Sequence, residues 1–163
     1  MGRVPNFYIR DFDRAILDSE RERILRLIKK VIPFALPKEV GSTAVDGVVG
    51  KQDLDFALRV PSSRFYEAQS ILDSQFDRND ALRPVVGYQR YLVHSKLHVL
   101  VHLVVEGGYY DSDFDRFLKL LVTNIELRIA YNNLKIAYNG QSMSEYKRKK
   151  KAFIESALAK YGK

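Results

Sequence analysis

The chain has 163 residues, 46% apolar and 29% charged, with a formal net charge of +7. That balance suits a globular chain with one ordinary core, expected as a single domain over 1–163, and its positive excess favours anionic partners such as nucleotides, RNA or phosphorylated metabolites. With no cysteine it excludes disulfides and thiolate metal sites, and no apolar run reaches the roughly 18 residues of a membrane span, so no membrane partner is expected.

In chain order, "MGRVPNFYIRDFDRA" has no continuous apolar region, so it does not read as a secretory signal and a cytoplasmic location is expected. Residues 11–32 predict an amphipathic helix, with Ile16, Leu17, Ile24, Ile28 and Val31 at helical spacing. Pro33 and Pro37 end that pattern. "KEVGS" (38–42) predicts a short strand running into a turn, and "DLDFALRV" (53–60) a second strand stopped by Pro61. "SSRFYEAQSILDSQF" (62–76) predicts a helix capped by Ser62 or Ser63, with Phe65, Ala68, Leu72 and Phe76 facing inward.

Two strand-like runs follow, "VVGYQRYLV" (85–93) and "KLHVLVHLVV" (96–105), joined at "HSK" as an antiparallel hairpin and closed by Glu106-Gly107-Gly108. Residues 112–138 predict one long helix or two shorter ones. "SMSEYKRKKKAFIESALAKY" (142–161) predicts the last helix, with Ser142 and Glu145 at capping-box spacing. Much of the positive excess lies here, in "EYKRKKKAF"; spread at 100° per residue, Lys147, Arg148, Lys149 and Lys151 cannot all face one cleft, and such runs are most often solvated. No repeat or linker appears, and the expected class is α+β.

The chemistry concentrates in "VGSTAVDGVVGKQDLDFALRV" (40–60). Side chains alternate along a strand, so Asp53, Asp55, Ala57 and Arg59 share one face and Leu54, Phe56, Leu58 and Val60 the core face. The two carboxylates then stand roughly 6.5–7 Å apart along the strand, close enough to reach one Mg²⁺ or bridge two ions. Gly41 permits a sharp turn or a close approach, and Gly41, Ser42 and Thr43 are candidates to hold phosphate oxygens. Gly-Ser alone is a common turn and Asp-x-Asp alone commonly a solvated strand edge; the pair, in this order on adjoining strands, carries the argument. His98 and His102 share one face of their strand by even spacing and can complete a metal shell, bond a phosphate or act as a base, or can equally be two half-buried histidines bonded to their neighbours. Lys51, Arg90 and Arg59 can neutralise phosphate charge, although Arg90 can equally pair with one of the aspartates.

Gly-Ser followed by Asp-x-Asp on the next strand resembles the nucleotidyltransferase superfamily, the polymerase-beta-like enzymes, and "GSTAVDGVVGKQDLDFAL" keeps the interval usual there. More narrowly, "VGSTAV-G---K" resembles the GrpB family, as do "LHVLVHLVV", "FDRFLKLL", the Tyr131, Leu134, Lys135 segment and the Tyr146, Lys150, Phe153 helix; the likeness runs from about residue 40 to 158. Asp46 stands where that family usually has proline, and "KLHVLVHLVV" has no Asp or Glu where active nucleotidyltransferases usually place a third carboxylate.

The resemblance implies a nucleotidyltransferase-like mixed β-sheet with helices packed mainly on one face and a cleft on the other. It implies transfer of a nucleotidyl group from a nucleoside triphosphate to a hydroxyl of an acceptor: a small molecule, RNA or protein. Asp53 and Asp55 would hold Mg²⁺ (or Mn²⁺), one ion activating the acceptor and another steadying the leaving pyrophosphate. Gly41, Ser42, Lys135 and Lys150 would hold phosphate, and His98 and His102 would join the catalytic set. The alternative is a non-catalytic module on the same fold that binds a nucleotide, a phosphometabolite or an RNA end.

Overall fold

Apolar residues alternating along three segments make the centre of the sheet: β2 (Leu54–Val60), β4 (Tyr88–Val93) and β5 (Val99–Val105). With β1 (Leu36–Glu39) and β3 (Asp77–Arg78) they form five strands in the order β1-β2-β5-β4-β3. The structure is a computed structural model that describes residues 5–11, 13–79 and 85–162. β2 and β5 run parallel and the other pairs antiparallel, so the sheet is mixed and the α+β expectation holds. The expected hairpin is β4–β5, but β4 starts at Tyr88 rather than Val85, because Gly87 turns the chain with φ 75°.

The register sorts the side chains. Leu54↔Val99, Phe56↔Val101 and Leu58↔Leu103 put the apolar sets on one face, together with Tyr91. Two helices cover that face: α1 (Arg14–Val31) through Leu17, Ile24 and Ile28, and α2 (Phe65–Asp73) through Phe65, Ala68 and Leu72. Ile16, expected inside, points to solvent; the inward stripe instead includes Glu20, which is buried and satisfied by Arg23 (3.0 Å) and Ser95. Neither Ser62 nor Ser63 caps α2, because a one-turn 3-10 helix (Ser62–Arg64) comes first.

The opposite face carries Asp55, Ala57 and Arg59 on β2, Leu100, His102 and Val104 on β5, and Tyr88 and Arg90 on β4. α3 (Tyr109–Thr123) covers part of it, setting Phe114 and Leu118 on Val40, Ala57 and Val104. Arg59 ties this helix down through Asp111 and Asp115 (the latter at 3.0 Å), so its charge is committed to the fold and not to a phosphate. α4 (Ile125–Ala137) and α5 (Met143–Tyr161) stack on α3. The chain breaks between α3 and α4 at Asn124, whose Oδ1 accepts the Leu127 N–H at 2.9 Å. Ser142 precedes α5, but its hydroxyl bonds Ser144 at 2.8 Å and makes no cap hydrogen bond, so the capping box does not form.

Removing Arg59 strands a buried carboxylate at Asp111. Arg59→Met is expected to lower unfolding stability by about 3 kcal/mol in urea denaturation, with recovery in the Arg59→Met/Asp111→Leu double variant.

Candidate functional site

Between the uncovered part of the sheet and helices α3 and α5 lies a cleft of about 580 Å³. Its lining includes Asp53, Asp55, His98, His102 and Arg90 from the sheet, Phe114, Phe117 and Leu118 from α3, and Tyr146, Lys147 and Lys150 from α5. A polar recess of about 70 Å³ beside it is lined by Gly41, Ser42, Thr43, Lys51, Lys135 and Lys150 among others. Phe7 also lines this recess and stacks on Tyr146 with ring centroids 3.8 Å apart. Nothing in the sequence around Phe7 signalled that.

The Gly-Ser turn touches the acidic strand directly. A Cβ on Gly41 would collide with the Asp55 carboxylate and lie 3.0 Å from the Asp55 Cβ, so only glycine lets the two segments meet. The Val40 N–H donates to the Asp55 carbonyl at 2.8 Å and fixes the approach. After Gly41 the chain makes one 3-10 turn, Ser42–Ala44, and Val45 and Val48 then seat among Leu121 and Tyr131 of the helices.

Asp53 lies one residue before β2 and Asp55 within it. Asp53 Oδ2 receives Lys51 Nζ at 2.6 Å and His98 Nδ1 at 3.4 Å. Asp55 Oδ1 lies 3.1 Å from His102 Nε2, and His102 Nδ1 lies 2.8 Å from the Tyr88 hydroxyl. A carboxylate only accepts, so Nε2 carries the proton in this bond. Burial pushes both aspartates up, but His98 and Lys51 at Asp53, and His102 and the Lys150 charge at Asp55, outweigh it and hold both below the usual carboxylate value. The histidines thus share the aspartate face, as their spacing implied. Tyr88 is an addition, legible only as the residue two before Arg90 on β4.

Lys135 is 1% exposed and does not project freely into the recess. Its Nζ donates to Ser42 Oγ at 2.8 Å and to the Val49 carbonyl at 2.7 Å, 4.4 Å above the Tyr131 ring. One turn earlier on α4, Asn132 accepts from the Val49 N–H at 3.0 Å and donates to the Gly47 carbonyl at 2.7 Å. These two residues, at i and i+3, pin both ends of the loop to α4. Gly50 leaves room for the ammonium, since a Cβ there would stand 3.1 Å from Nζ. Gln52, with φ 62°, holds a backbone conformation that is costly without glycine, between Lys51 and Asp53.

Arg90 does not pair with either aspartate; its Nη2 donates to Asn79 Oδ1 at 2.9 Å. Of the basic run, Lys147 and Lys150 line the cleft, while Arg148, Lys149 and Lys151 line neither cavity and are exposed. Two oxygens suit a divalent cation: Asp53 Oδ1 and Asp55 Oδ2 make no hydrogen bond among the described residues. No group of three or more His, Cys, Asp or Glu is placed to hold a metal ion among the described residues. Two carboxylates nevertheless fit Mg²⁺, which commonly takes one or two plus the phosphates of a ligand. No described helix is long and apolar enough to cross a membrane.

Fold and site together define an α+β protein whose Gly-Ser turn abuts an Asp-x-Asp strand on a mixed sheet. The model of the GrpB protein family matches residues 14–160, and the chain belongs to that family. It is 30% identical over 160 residues to a UPF0157 protein of Vibrio cholerae serotype O1, covering 97% of this chain and 84% of that one. Its fold matches the crystal structure of the conserved protein GrpB from Enterococcus faecalis with TM-score 0.72 at 18% identity, over 95% of this chain and 99% of the other. A partial likeness joins it to the Cid1 poly(U) polymerase with bound MgGTP, at TM-score 0.46 and 15% identity over 74% of this chain and 41% of that one.

Burial, with the Lys150 charge, brings the Lys135 ammonium down to about 7. The unfolded chain keeps that proton to the ordinary lysine range, so above pH 7 the unfolded state binds more protons and stability rises with pH. Urea midpoints of the wild type are therefore expected to gain on those of Lys135→Met between about pH 6 and 8.5. A pH-independent gap would contradict the depressed value.

Proposed function

We propose that the cleft binds a nucleoside triphosphate with Mg²⁺ (or Mn²⁺) and transfers its nucleotidyl group to an acceptor hydroxyl. One observation carries this reading: Gly41 meets the Asp55 carboxylate so closely that the Ser42 hydroxyl and the recess lysines lie beside both aspartates. Asp53 Oδ1 and Asp55 Oδ2 would hold the metal, which when bound supplies charge neutralisation and activates the acceptor hydroxyl.

The chain's own residues do the rest. Ser42, Lys51 and Lys150 take phosphate charge in the recess, with Thr43 beside them. Lys135 acts one step back, holding the Ser42 hydroxyl in place. His102, braced by Tyr88, orients Asp55, and His98 does the same for Asp53. Phe114, Phe117 and Leu118 give the cleft an apolar wall that keeps water from the reacting end and offers a surface for a base.

A second reading has its own support. Each aspartate already carries a histidine partner, drawn from the segment where a third carboxylate would stand. On that reading the cleft binds a nucleotide, a phosphometabolite or an RNA end without turning it over.

Thermal unfolding with each of the four NTPs, with and without Mg²⁺, tests the shared part. At least one NTP is expected to raise the Tm only when Mg²⁺ is present, and Asp53→Asn/Asp55→Asn to abolish the rise. No rise with any NTP would contradict nucleotide binding. Mg²⁺-dependent pyrophosphate release then separates transfer from binding alone.

A further inference from the structure

The outer end of the cleft holds cations that the triphosphate recess does not use. Arg90 pairs in register with His102, so it rises from the cleft face, and its strand lies two strand spacings, about 10 Å, from β2. Among the described residues its guanidinium makes one hydrogen bond, from Nη2 to Asn79 Oδ1 at 2.9 Å, and no carboxylate pairs with it. Arg90 Nε is buried with no hydrogen-bond partner there, and a buried donor left unpaired is costly. Lys147 lines the same cleft from α5, on the same side of that helix as Lys150. Partial burial at the cleft wall, and after it the charges of Lys51, Arg90 and Lys150, holds the Lys147 ammonium below its ordinary value.

We propose that Arg90, Asn79 and Lys147 form a second anion subsite, which takes a phosphate group carried by the acceptor. The assignment to the acceptor rests on the nucleotidyl-transfer reading; the subsite itself does not. The Gly41–Ser42 recess lies on the β1 side of Asp55, and Arg90 lies on the β4 side. Transfer at the aspartates needs the donor phosphates on one side of them and the acceptor on the other. The arrangement of positive charge fits an acceptor that is itself anionic, whose phosphate group would meet the Arg90 guanidinium from the cleft. A phosphorylated small molecule and the end of a nucleic acid both present that group.

The test uses the full chain and follows the Arg90 Nε–H signal by NMR during titration with ribose 5-phosphate, ribose, an RNA trinucleotide and inorganic tripolyphosphate. Ribose 5-phosphate, and not ribose, is expected to shift that signal. Arg90→Gln and Lys147→Gln are each expected to weaken its binding about tenfold, the loss of one charge-assisted bond. Tripolyphosphate with Mg²⁺, held by Ser42, Lys51 and Lys150, should lose clearly less affinity than ribose 5-phosphate in both variants, because neither substituted residue lines the recess. Lys147 is exposed, so its variant keeps the fold and the test readable if Arg90→Gln does not.

Trinucleotide binding that depends on Arg90 and exceeds that of ribose 5-phosphate would support the subsite and assign it to nucleic acid. Binding of ribose 5-phosphate alone would support it for a small molecule. No shift with either phosphate would overturn the subsite, as would equal losses for ribose 5-phosphate and tripolyphosphate, which would place Arg90 in the triphosphate site. No tripolyphosphate binding by the wild type with Mg²⁺ present, alongside an intact ribose 5-phosphate response, would contradict phosphate binding in the recess and leave the subsite standing.

Discussion

The contact between Gly41 and the Asp55 carboxylate is the constraint on which the site depends. It requires a residue without a side chain just beyond β1, where the Asp55 side chain of β2 faces it. The rest of the molecule keeps these two segments together. Beneath them, α1 and α2 fill the apolar face of the sheet and make β2 rigid. Above them, Arg59 draws α3 onto β2, and α3 receives α4 and α5. From α4, Lys135 and Asn132 reach back to the loop that began at Gly41. The loop is thereby clamped between sheet and helices, and Val45 and Val48 are buried in the clamp.

Charge gives that geometry its use. Two aspartates lie among Lys51, His98 and His102, with Lys150, Lys147 and Arg90 beyond them. The cations outnumber the carboxylates, so the cleft favours a ligand with several negative charges. The aspartates in the same space favour a cation that travels with such a ligand. On the proposed reading, a polyphosphate with its divalent metal meets both demands.

Much of this was legible because strand alternation and turn chemistry act locally. The Asp53–Asp55 face, the shared face of the histidines and the β4–β5 hairpin all follow from a period of two. The boundaries were less legible where tertiary contacts decide them. Glu20 replaces Ile16 in the buried stripe because Arg23 and Ser95 satisfy it, and Asn124 cuts one helical pattern into two by capping the second. β3 is two residues of polar sequence that exist as strand only by pairing with β4. The supporting residues Tyr88, Asn132 and Lys147 were illegible as such, since their roles come from partners far away in sequence. Arg59 shows the reverse: its position beside the aspartates looked like a phosphate contact, and its guanidinium belongs to α3.

The central claim, that metal and nucleotide meet at Asp53 and Asp55, is tested most directly by paramagnetic broadening with Mn²⁺ in NMR spectra of the intact chain. The account predicts that Mn²⁺ with an NTP broadens the amide signals of Ser42, Asp53 and Asp55, and that Asp53→Asn/Asp55→Asn removes the effect. Broadening that centres elsewhere, or that survives in the double variant, would contradict it.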